Sequence, residues 1–227
     1  MGFIVESRGV VTSEEMKQRQ LLRVEDPSNL TITPLLDEDD VYDTDSIDLR
    51  LGTHFLFPRL PPHPHYCPDR DSRDSFHMRV HVPLGGYLVL PPHSTVLGAT
   101  LEFIKLPFDV AGEILTKSSV ARTFILIETA PWIHPNYRGC LTLEIANVSN
   151  TAILLYPGRK IGQMVLMHVA ILPGNEKKAA DLLDTTYFGP VYPEAPPFKN
   201  PESDLAVLGI NRVRIVPKPK WTGAGEP

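Results

Sequence analysis

The chain has 227 residues, 42% of them hydrophobic, enough for one apolar core and a single domain with appended loops. Its net charge of -5 argues against a protein built to neutralise nucleic-acid phosphates, while a local cluster of cations still suits a small anionic ligand. Two cysteines (Cys67, Cys140) imply no disulfide framework, no apolar run approaches the roughly 18 residues of a membrane span, and no signal peptide is visible, so a cytoplasmic protein is expected.

Thr12 followed three residues later by Glu15 has capping-box spacing and predicts a helix over Ser13–Leu22. The runs LTITPLL and SIDLRLGTHFLF alternate apolar and polar residues and read as strands, with the acidic loop DEDDVYDTD between them. Residues 58–78, rich in Pro, His and Asp, have no periodicity and read as a mobile excursion. From Val80 to Val169 the runs MRVHV, GYLVL, STVLGATLEF, VAGEIL, FILIET, CLTLEIANV, AILLY and KIGQMVLMHVAIL predict strands. Turn signals such as PLGG, HPNYRG, NVSN and YPGR separate them, the spacing of a β-sandwich or barrel. A second helix, NEKKAADLLD, follows the Pro173-Gly174 break with Asn175 as N-cap. The expected division is 1–29 as helix and lead-in, 30–172 as the β domain, and 173–227 as a helix and proline-rich tail.

Three groups of residues offer chemistry. His63, His65, Cys67 and His77 could in principle bind a transition metal, but the segment lacks paired cysteines and reads as a solvated loop. The zinc-deaminase signature, H-x-E followed by P-C-x-x-C, is missing. Lys117, Ser118, Ser119 and Arg122 gather hydroxyls, backbone N–H groups and two cations on one loop, as an oligophosphate requires. The same residues also fit a helical turn capped by Ser118 with surface cations. Glu144 stands in LTLEIANV, where alternation puts Leu141, Leu143 and Ile145 on one face and Thr142, Glu144 and Ala146 on the other. A carboxylate leaving a β core into a cleft has its pKa raised by desolvation and suits a general base near neutral pH. A solvated Glu or half an ion pair is the other reading.

The motifs SIDLRLG, SSVAR, YRG before a strand with a central Glu, and PGRKIGQ, in this order, resemble the dCTP deaminase and dUTPase superfamily over about residues 30–170. The resemblance implies a mainly all-β fold, a distorted jelly-roll-like β-barrel of the dUTPase type with one or two short helices. It also implies a homotrimer with active sites between subunits, while charge and the lack of a long apolar run lead to the expectation of no nucleic-acid and no membrane partner. The expected ligand is a pyrimidine deoxynucleoside triphosphate carrying Mg²⁺ on its phosphates, with no zinc and no metal ligand from the protein. Lys117 (for a frequent Arg), Ser118, Ser119 and Arg122 would hold it, and Glu144 takes the place of the catalytic Glu that activates water to attack cytosine C4. Ser118 and Arg122 would assist, and Ala130, Gln163 and Tyr187 lie at further expected contacts. The implied reaction is dCTP and water to dUTP and ammonia.

The chain also departs from that family. Trp132 stands where an Arg near the base is usual, and His134 where an Asp is usual, which disfavours dUTP hydrolysis by the usual route. Thr186 and Pro190 replace residues that normally reach the phosphates, and each lost charge-assisted bond costs about 1.5–3 kcal/mol. Arg138, Arg159, Lys160 and the tail cations Arg212, Arg214, Lys218 and Lys220, with Trp221, are candidate compensators. Besides the deaminase, a catalytically impaired nucleotide-binding or regulatory homologue and a deaminase for a different pyrimidine nucleotide therefore stay open.

Overall fold

The strand pattern read from Leu30 onward is realised, in a computed structural model that describes residues 9–36, 45–59, 76–127, 130–170 and 191–193, as twelve strands and two helices. The strands are β1 (Thr31–Thr33), β2 (Ile47–Arg50), β3 (His54–Pro58), β4 (His77–His81), β5 (Leu88–Leu90), β6 (Ser94–Lys105), β7 (Val110–Thr116), β8 (Ile125–Ile127), β9 (Trp132–Ile133), β10 (Arg138–Asn147), β11 (Ile153–Leu155) and β12 (Lys160–His168). The helices are α1 (Ser13–Gln20) and α2 (Ser118–Ala121). The acidic loop at 37–44, residues 60–75, the second predicted helix and the tail beyond Pro193 lie outside the described residues.

All strand pairs are antiparallel. A six-stranded sheet runs β4-β3-β6-β10-β8, with β1 also on β6; a four-stranded sheet runs β2-β12-β7-β9; β5 and β11 form a third. The mainly β fold class is as expected, but the strands form three sheets among the described residues instead of one closed barrel. Alternation supplies the core: Ile47 and Leu49 of β2, Met164 and Leu166 of β12 and Ile114 of β7 are buried, as are Val96 and Ile104 of β6 and Leu143 and Ile145 of β10. Each buried Leu or Ile contributes about 1.5–3 kcal/mol.

The run SIDLRLGTHFLF divides between the two larger sheets at Gly52. Its N–H donates to Ala99 O at 2.7 Å, and a Cβ there would meet that oxygen at 2.8 Å and Thr100 O at 3.2 Å. Only glycine lets the chain cross so close to β6.

Helix α1 ends at Gln20, earlier than predicted, with Leu21 as C-cap. Thr12 caps it, its side chain accepting the Glu15 N–H at 3.3 Å. The Glu15 carboxylate accepts from Arg19 Nε at 2.9 Å and lies 3.0 Å from His168 Nε2. Met16 alone is buried from this helix, so polar links hold it, chiefly the fork of Arg19 on both oxygens of Asp109 at 2.8 Å.

Asn147, 1% exposed, clips three segments together. Its Nδ2 donates to Leu90 O and Pro91 O at 3.0 Å and to Thr151 O at 2.8 Å, while its Oδ1 accepts from Ser149 N and Oγ.

Candidate functional site

In β2, Ile47 and Leu49 enter the core, so Asp48 and Arg50 stand on the opposite face. Asp48 lies level with Gln163 of β12, which lies level with Leu115 of β7, giving a row across the outer face of the four-stranded sheet. On the same face Glu113 pairs with Trp132 of β9, a residue 47% exposed.

Lys117 follows β7 and reaches back over this row. Its Nζ donates to both Asp48 carboxylate oxygens at 2.6 and 2.7 Å, and Lys160 Nζ lies 3.2 Å from the same carboxylate. A register shift between Lys160 and Gly162 makes this possible: Ile161 is the extra residue and turns inward, leaving Lys160 level with Arg50 on the outer face.

Behind the cluster, β6 and β10 lose register, with Thr100, Leu101 and Glu102 opposite Leu141 alone. Thr100 Oγ1 fills the gap, accepting Leu141 N–H at 2.9 Å and donating to Glu102 O at 2.7 Å. Glu102 is buried, and its carboxylate accepts the Arg50 N–H at 2.9 Å. Burial pushes the Glu102 carboxyl above the ordinary range, against the opposing pull of the Arg50 N–H.

The serine and arginine loop is a helical turn. Lys117, not Ser118, is its N-cap, and the Lys117 carbonyl accepts the N–H groups of Val120 and Ala121. Ser118, Ser119 and Arg122 are exposed, so two hydroxyls and one guanidinium are presented to solvent. The entry is held by Lys117 N–H on Ile161 O at 3.2 Å, the exit by Val148 N–H on Phe124 O at 3.0 Å.

Glu144 lies on β10 as alternation predicts, with Leu143 and Ile145 fully buried beside it. The side chain is exposed within one chain, level with Leu97 of β6 and diagonal to Leu126 of β8, which pairs with Ala146. The cleft expected around it is therefore not closed by this chain's described residues alone. Glu144 belongs to the six-stranded sheet, whereas Lys117, Gln163 and Trp132 gather on the four-stranded one. Strand β8 links the two sets: Ile127 pairs with Ile145, and its N–H donates to Thr116 Oγ1 at 2.8 Å.

Of the other expected residues, Ala130 and His134 are exposed. The half-buried Arg138 faces Lys105, and Lys105 is itself committed to Val24 O, Asp26 O and Asn29 Oδ1. Tyr187, Thr186, Pro190, His63, His65 and Cys67 lie outside the described residues, among which no group of three or more His, Cys, Asp or Glu side chains is placed to hold a metal ion. No described helix is long and apolar enough to cross a membrane. Sequence reasoning missed Asp48 and Glu102. The outward alternation of SIDLRLG could have flagged Asp48, and the inward alternation of β6, which Glu102 shares with Val96 and Ile104, could have flagged Glu102.

Comparison with known proteins gives a consistent result. The dCTP deaminase-like family matches residues 15–169. A protein named dCTP deaminase, dUMP-forming, from Corynebacterium diphtheriae is 35% identical over 165 residues, covering 72% of this chain and 86% of its own length. One of the same name from Corynebacterium kroppenstedtii is 33% identical over 181 residues, covering 79% and 95%. The crystal structure of 2'-deoxycytidine 5'-triphosphate deaminase from Agrobacterium tumefaciens has a TM-score of 0.55 at 21% identity, a likeness of fold that covers 71% of this chain and 49% of that one. This chain thus spans about half the length of that deaminase.

Proposed function

Because the chain belongs to the dCTP deaminase-like family, we propose that it is a hydrolase of the dCTP deaminase type whose general base is Glu144. The observation that carries this reading is a carboxylate standing out of a strand whose flanking residues, Leu143 and Ile145, are fully buried, so that the rigid core fixes where it points. Glu144 would take a proton from water as oxygen adds to cytosine C4 and pass it to ring N3, then relay the second proton from the new hydroxyl to the exocyclic nitrogen as the C–N bond breaks, ammonia leaves and the oxygen becomes the C4 carbonyl.

Ser118, Ser119 and Arg122 present donors and one fixed positive charge, which suits phosphate oxygens and not a bare cation. Mg²⁺ would therefore arrive on the triphosphate, where it neutralises phosphate charge. Glu144 is exposed in one chain, so a dry site needs a covering surface. A second copy of the chain in a homotrimer would supply it.

The sequence-based expectation of dUTP as product differs from the relatives' names, which specify dUMP. On their pattern dCTP and two waters would yield dUMP, ammonia and pyrophosphate, with dUTP formed between. His134 lacks the carboxylate that would orient water for the second hydrolysis, so ammonia and pyrophosphate are to be assayed separately.

In the test, Glu144→Gln should lower ammonia release by at least about 10²-fold and leave the assembly intact; an unchanged rate removes the mechanism. A nucleotide-binding protein without turnover is the second reading, favoured by Trp132 in place of a cation. A panel of dCTP, dCMP, dUTP and ring-modified cytosine nucleotides decides between them, since turnover of any excludes a pure binder.

A further inference from the structure

We propose that Asp48 is a positioning residue: acting through Lys117, it holds residues 118–122 in the conformation that receives the nucleotide's phosphates. This rests on the nucleotide-binding reading above and adds to it a residue that the loop itself does not contain.

The loop has little of its own to hold it. A four-residue helical turn is too short to be stable alone, no residue of α2 is buried, and its N-cap makes no side-chain capping bond. Backbone bonds to Ile161 and from Val148 tie its two ends. Val120 packs against the core; the polar side-chain tie is the pair from Lys117 Nζ to both oxygens of Asp48, and Asp48 is set by its place in β2 opposite Gln163.

That pair also decides what Lys117 does. The Asp48 side chain is only 12% exposed, so withdrawing a cation from it would leave a largely desolvated carboxylate short of a partner. Lys117 therefore stays on Asp48 and anchors the loop, leaving Arg122 as its exposed cation. Asp48, Lys117 and Lys160 together carry one net positive charge beside the loop, so the anchor also favours an arriving anion.

The experiment compares the full chain with Asp48→Asn, Lys117→Gln and the double variant, each checked for folding by circular dichroism. Ammonia release at varied dCTP gives kcat and KM; calorimetric titration with dCTP gives affinity. A positioning role predicts that Asp48→Asn and Lys117→Gln each raise KM about tenfold with kcat changed less than about threefold, and that the double variant is no worse than the weaker single one. Multiplying effects, or a large loss in Lys117→Gln beside a wild-type Asp48→Asn, would make Lys117 a direct phosphate ligand and overturn the proposal.

Hydrogen exchange at the amides of Val120, Ala121, Arg122 and Thr123 gives a readout that needs no nucleotide. Release of the anchor should speed it about tenfold in either single variant. Unchanged exchange refutes the anchor. Faster exchange in a chain that binds no dCTP refutes only the nucleotide reading.

Discussion

Replacing Asn147 with aspartate should destabilise the protein more than replacing it with alanine, and in a pH-dependent way. Alanine removes three donated and two accepted bonds, and neutral bonds are worth about 0.5–1.5 kcal/mol each. The Ser149 and Thr151 groups can turn to water, whereas the carbonyl of fully buried Leu90 cannot, so a loss of about 2–4 kcal/mol is expected. Aspartate keeps the bonds from Ser149 but sets an oxygen against three carbonyl oxygens in a site 1% exposed, and about 3–5 kcal/mol is expected at pH 8.

The sign of the pH effect follows from the same geometry. The introduced carboxyl would have a raised pKa in the folded chain, because its protonated form can donate to one of the carbonyls that the amide served. The folded state then binds more protons than the unfolded state between the ordinary and the raised value, so stability is lost as pH rises through that window and regained as it falls. Urea denaturation of Asn147→Asp and wild type at equal protein concentration, at pH 8 and pH 5.5, measures the gap. A gap under about 1 kcal/mol at pH 8, or one that does not shrink on acidification, refutes this account of the clip.

Glu102→Gln tests the buried carboxyl at the seam between the sheets. Its folded-state pKa is raised by burial, so wild type loses stability as pH climbs from the ordinary carboxylate range through the raised value; the variant should gain on wild type over that interval in urea denaturation, and a gap moving the other way would refute the cause assigned. Gly52→Ala should cost about 1–3 kcal/mol, because the new Cβ meets two backbone oxygens that cannot swing aside; an unchanged Tm would show that the crossing can open.

Most of the fold was legible because alternation states which side chains go inward. In CLTLEIANV it placed Leu143 and Ile145 in the core and Glu144 outside, and the fully buried neighbours agree. The Thr12 cap was legible for a similar reason, since a short hydroxyl side chain three residues before an available N–H forms its bond locally. β9 was not legible: two residues with one buried side chain carry no period, and Trp132-Ile133 becomes a strand only because β7 offers an edge at Gly112 and Glu113. The loop at 117–122 was half legible. Its residue types pointed to an anion, but the same letters describe a helical turn, and the fate of the Lys117 charge depends on Asp48, 69 residues away.

The place where the pattern failed is a register break, and it carries charge. Alternation decides the face of each residue only while the count between strands stays even, and one extra residue reverses every face beyond it. At Ile161 the break delivers Lys160 to the side of Asp48; at Thr100–Glu102 two extra residues leave the parity intact, so Glu102 keeps the inward face of Val96 and Ile104, where the Arg50 N–H receives its carboxyl. Without the first break Lys160 would point into the core, where an ammonium is not tolerated without a partner. One of the two lysines on Asp48 is therefore supplied by a bulge, which a reading by period cannot see, while the loop's own residues are recognised by type. Ser118, Ser119 and Arg122 were found from their types, whereas Asp48 stands on the regular outward face of β2 and gains its meaning only from Lys117, a partner 69 residues away.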